Sequence, residues 1–72
     1  MTLKEIREAL DISQVELDRR AGLTRGTVQD LESGKNSNPS VATADAIVQA
    51  LRRAGAKGVD IEGLFIDRVV AS

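Results

Sequence analysis

Acid–base or metal chemistry in this 72-residue chain would have to rest on its 11 Asp and Glu side chains, because it contains no His and no Cys. Without His the usual neutral-pH acid, base and zinc ligand is missing. Without Cys there is neither a disulfide framework nor a thiolate metal site. The carboxylates fall at solvated helical spacings, with no convergent pair, no phosphate-binding loop and no nucleophile beside a base. No catalytic residue, metal or cofactor is therefore assigned, and the expected role is not enzymatic. The stretch most suited to recognition is "SQVELDRRAGLTRGTVQDLESGK", Ser13 to Lys35, a third of the chain.

The elements that must position this stretch are helices. Leu3, Ile6 and Leu10 fall at i, i+3 and i+7, so a first helix is expected over about Thr2 to Leu10 with Thr2 as its cap. Ser13 followed by Glu16 has the form of a capping box, and Leu17 and Ala21 share a face, which predicts a second helix from Gln14 to Ala21. Gly22 offers a left-handed stop and Thr24 a fresh cap; Val28 and Leu31 then carry a third helix from Arg25 to Ser33. After the polar loop "KNSNP", Val41, Ala44, Ile47, Val48 and Leu51 define a fourth helix that runs up to Gly55. A fifth is read over Ile61 to Val69, although Gly63 and the β-branched residues also leave strand open there. A chain of this length buries only about 60% of its unfolded surface, enough for one core, so residues 1–72 are read as a single all-α domain.

Two helices of eight or nine residues joined by "GLT" cannot lie antiparallel across so short a link and must cross steeply. Residues 14–33 thus form a helix-turn-helix, which lets one helix anchor across phosphates while the other lays an exposed face in a DNA major groove.

The pattern "SQxEL…AGLTxxTVxxLExGK…NPS" across Ser13 to Ser40 resembles the phage lambda repressor and Cro type of helix-turn-helix, the XRE family, with Gln14, Gly22, Val28 and Leu31 at the family's spacing. The resemblance implies a compact five-helix, lambda-repressor-like DNA-binding domain. It also implies that Gln14 holds a phosphate and braces a neighbouring side chain. Arg25 matches a position that reads base edges, where a guanidinium can pair with guanine O6 and N7. Thr24, Gly26, Thr27, Gln29 and Asp30 complete the reading segment, Thr27 toward a thymine methyl or a phosphate, Gln29 toward adenine and Asp30 toward cytosine N4. Lys35, Asn36 and Asn38 correspond to a loop that touches the backbone. Arg7 and Glu32 occupy positions that the family joins in a buried ion pair. Two departures stand out: Asp18 replaces the usual Ala where the two helices pack, with Arg19 or Arg25 as candidate partners, and Gly26 removes a side chain from a reading position at a cost of about 1 kcal/mol in helix propensity.

The net charge of -1 argues against nucleic-acid binding unless charge is placed unevenly. Glu5, Glu8, Asp45, Asp60, Glu62 and Asp67 are expected away from the reading face, and Arg25 and Lys35 on it. So few basic contacts call for two half-sites, hence a homodimer on double-stranded DNA. The segment 59–70 carries more large apolar residues than one side of a short helix can hide; the resemblance implies a twofold interface there, through Val59, Ile61, Leu64, Phe65 and Val69, the alternative being that the segment closes the domain's own core. The leading expectation is a transcriptional regulator, a repressor, on a short inverted-repeat operator. An antitoxin clamped on a toxin, or a protein-interaction module without DNA affinity, would use the same fold. The N-terminus lacks the apolar run of a signal peptide and no stretch approaches a membrane span of about 20 apolar residues, so no membrane partner and a cytoplasmic location are expected.

Overall fold

Three of the helix starts in this chain are made by a hydroxyl side chain that satisfies a first-turn amide. Residues 2–35, 39–60 and 64 are described by the computed structural model, and among them the regular elements are four helices with no strand: α1 (Leu3–Ala9), α2 (Gln14–Ala21), α3 (Thr27–Ser33) and α4 (Val41–Arg53). The fifth helix expected over 61–69 falls outside the described residues except at Leu64. So do Ile61, Phe65 and Val69 of the expected twofold interface, and Asn36 and Asn38 of the loop.

Thr2 opens α1 through a reciprocal capping box: its hydroxyl accepts from the Glu5 N–H at 3.1 Å, and its own N–H donates to the Glu5 carboxylate at 2.9 Å. Ser13 opens α2 by accepting from the Glu16 N–H at 3.0 Å. The Glu16 carboxylate, expected to close a box on Ser13, is instead engaged by Arg19 and Arg20; hydrogen bonds from Arg19 first and Arg20 second bring its pKa down to about 2. Ser40 opens α4, its hydroxyl accepting from the Thr43 N–H at 3.1 Å. The turn after α1 passes through Asp11 at φ 57°, a left-handed conformation that Asp tolerates better than most residues.

α2 packs against both α3 and α4. Leu17 of α2, Val28 and Leu31 of α3, and Ala44, Ile47 and Leu51 of α4 are fully buried and form the centre of the core, with Leu3, Ile6, Ile12, Val48 and Ala50 around them. Val59 also belongs to this core, at 7% exposure, and Leu64 packs partly buried against it. Val59, and part of Leu64, thus contribute to the chain's own core. The physical reason is size: a domain this small has few large apolar residues with which to close its core. Arg52 secures the segment by donating from Nε to the Val59 carbonyl at 2.9 Å. No helix among the described residues is long and apolar enough to cross a membrane.

Candidate nucleic-acid interface

α3 begins at Thr27, two residues later than a cap at Thr24 predicts, because Gly26 holds the cap position at φ 98°. A left-handed residue ends helical geometry on its N-terminal side, so Arg25 lies in the turn before the helix, not in its first turn. Thr24 is not the side-chain cap; its carbonyl accepts from the Thr27 N–H at 3.1 Å and from the Thr27 hydroxyl at 2.7 Å. Nor does Gly26 weaken a helix, since it sits where glycine is the unstrained choice.

The missing cap comes from the neighbouring helix. Asp18, only 2% exposed, accepts from the Gly26 N–H on Oδ2 and from the Val28 N–H on Oδ1, both at 2.9 Å. A buried carboxylate is costly unless its oxygens are hydrogen bonded, and here both are taken by amides at the positive end of α3. Asp18 therefore pairs with neither Arg19 nor Arg25, the partners its neighbourhood in sequence suggested.

A second polar junction holds the other end of α3. Arg7 donates to Glu32 as a fork, Nε to Oε2 at 2.7 Å and Nη2 to Oε1 at 2.9 Å, while Nη1 reaches the Ile12 carbonyl at 2.8 Å. Gln14 adds its Nε2 to Glu32 Oε1 at 3.0 Å. The ion-paired side chains are 10% and 7% exposed. Burial of Glu32 opposes its ionisation, but the hydrogen bonds from Arg7 and Gln14 outweigh burial and leave its pKa below the ordinary carboxylate value. The bond to Glu32 raises the Arg7 pKa in turn. α3 is thus tied to α2 near both ends, by Asp18 at its start and by Gln14 toward its finish, with fully buried Leu17 between the two ties.

Held in this way, the segment 24–30 turns Val28 inward and leaves the rest accessible. Thr24, Arg25 and Gln29 are exposed, and Gly26, Thr27 and Asp30 are half-buried. Lys35 is exposed just past the end of α3. Gln14 stands apart from this row, with its amide nitrogen turned to Glu32.

The family profile described as Helix-turn-helix matches residues 3–55, which takes in all four helices. The chain belongs to the XRE-type helix-turn-helix family. A relative from Methanothermobacter thermautotrophicus, described as an uncharacterized HTH-type transcriptional regulator, is 41% identical over 64 residues, which cover 89% of this chain and 84% of the relative. No solved structure matches the chain. In this helix-turn-helix protein the residue missed by reading the sequence is Asp18. Its signal was available: it lies four residues after Gln14 and next to Leu17, on the inward side of α2, where a carboxylate must find donors.

Proposed function

We propose that this helix-turn-helix protein binds double-stranded DNA in a sequence-specific manner as a homodimer, and represses transcription from a short inverted-repeat operator. Family membership supports DNA-binding regulation in general, and the relative described as a transcriptional regulator supports it further. The observation that carries the reading is exposed Arg25 in a turn whose flanking residues are hydrogen bonded to the body of the domain, at the start of a helix whose other side is core.

In this reading Arg25 pairs with guanine O6 and N7, Gln29 with adenine, Thr27 with a thymine methyl or a phosphate, and Asp30 accepts from cytosine N4. Thr24 and Gly26 let the turn approach closely, and Lys35, Asn36 and Asn38 contact the backbone. Gln14 meets a phosphate while Glu32 fixes its amide. The segment 59–70 supplies the twofold contact, which sets the recognition helices one DNA turn apart, about 34–36 Å, as in phage repressors.

Selection from random duplex DNA at two salt concentrations tests the proposal. Enrichment of an inverted repeat with half-sites one turn apart is the expected result. Weak binding that salt erases, with no sequence enriched, would overturn it.

A further inference from the structure

We infer that Asp18 is a specificity-determining positioning residue: by holding the turn before α3 through the amides of Gly26 and Val28, it sets where Arg25 is presented and so how sharply one base pair is read. The inference rests on the proposed DNA reading and adds to it a residue that itself touches no DNA.

The two oxygens of Asp18 take amides two residues apart, Gly26 and Val28, so the carboxylate brackets Thr27. Thr27 is in turn closed onto the Thr24 carbonyl through both its N–H and its hydroxyl. Residues 24, 26, 27 and 28 are thereby tied, and Arg25 is the exposed residue between them. A bidentate contact must be held to within about 0.5 Å and 10–20° to be productive, which a turn fraying at the end of a seven-residue helix would not provide. Asp18 supplies that restraint from α2, the helix that also carries Gln14 one turn earlier, so a phosphate anchor and the base-reading turn belong to one braced unit.

Asp18 and Gly26 act together. The positive φ of Gly26 swings the chain so that its own N–H and that of Val28 both reach one carboxylate on α2. A Ser, Thr, Asp or Asn at 26 with an extended backbone would cap α3 with its own side chain and continue the turn differently. The pair therefore defines a presentation of Arg25 distinct from that of a self-capped helix, which makes the two positions separable by experiment.

The test compares wild type, Asp18→Asn and the double variant Asp18→Ala/Gly26→Ser, in which Ser supplies a self-cap, after folding is checked by circular dichroism. Each is measured on a duplex selected by wild type and on the same duplex with the Arg25-read base pair exchanged, over a range of salt. A bidentate contact supports about 5- to 150-fold discrimination at one base pair. Asp18→Asn keeps the shape but sets an NH2 against one of the two amides. It is expected to lose most of that discrimination, while affinity for the exchanged duplex and its salt dependence stay within about twofold. The double variant is expected to fold, at a lower melting temperature than wild type because of the left-handed backbone at 26, without regaining wild-type discrimination. A stable double variant, or a folded Asp18→Asn, that discriminates as wild type does would overturn the inference and leave the proposed function standing. Failure of wild type itself to select any sequence would overturn both.

Discussion

Replacing Glu32 by Ala removes the acceptor for Arg7 Nε, Arg7 Nη2 and Gln14 Nε2 at once and leaves the Arg7 guanidinium, 8% exposed as a whole residue, with the Ile12 carbonyl. Stranding one member of a buried ion pair costs about 3–5 kcal/mol. A 72-residue domain has a net stability of about 4–11 kcal/mol, so this single change should remove about a quarter or more of it. At about 4–8 °C per kcal/mol for a domain of this size, the melting temperature should fall by more than 12 °C. Substituting both partners, as in Arg7→Met/Glu32→Leu, removes the two charges together and should recover most of the loss, because a buried pair and a well-packed apolar pair are often close in stability. What the double variant does not recover is the hydrogen bonding of Gln14 and of the Ile12 carbonyl, a residual cost of about 1–3 kcal/mol. Urea unfolding followed by far-ultraviolet circular dichroism measures all three proteins. A Glu32→Ala cost below about 1 kcal/mol, or a double variant no better than the single, would refute the assignment of this junction as a structural tie.

The folded-state pKa of Glu32 lies below its ordinary value of 4.5, so the stability it contributes is complete above that value and is lost as pH falls through the folded-state pKa; Glu32→Gln should flatten the acid limb of a stability–pH curve. Glu16, at about 2, should titrate well below the ordinary glutamate value of 4.5, and its carboxyl signal followed by NMR should place the midpoint there. Gly26→Ala meets nothing within 4 Å, so its cost should be conformational, about 1–2 kcal/mol from the left-handed backbone, and urea unfolding should show it without signs of overpacking. In binding assays Arg25→Ala should relax discrimination at one base pair, whereas Gln14→Ala should weaken every sequence alike.

The helices were legible where one pattern decided each end. Ser13 with Leu17 and Ala21 defined α2 to the residue, and five apolar residues at helical spacing brought out α4. The start of α3 was not legible in the same way, because Thr24 and Arg25 look like a cap and a first helical residue, while the structure hands the capping role to Asp18 across the helix pair. A cap borrowed from eight to ten residues back leaves no trace beside α3; its signal is a carboxylate on the inward side of α2. Gly26 was open to misreading for the same reason: in sequence it is a weak helix former, in space a left-handed hinge. The apolar residues of 59–70 carry no directional signal, and Val59 turned inward because the core needed it.

In the proposed function, residues 24–30, braced by Asp18 and Glu32, form the surface that meets DNA. Titrating 15N-labelled protein with the duplex selected by wild type, and following every backbone amide by NMR, tests it most directly. The largest shifts are expected over Thr24 to Asp30, together with the Gln14 side-chain amide. Shifts concentrated on α4 or on residues 59–64, with 24–30 unmoved, would contradict it.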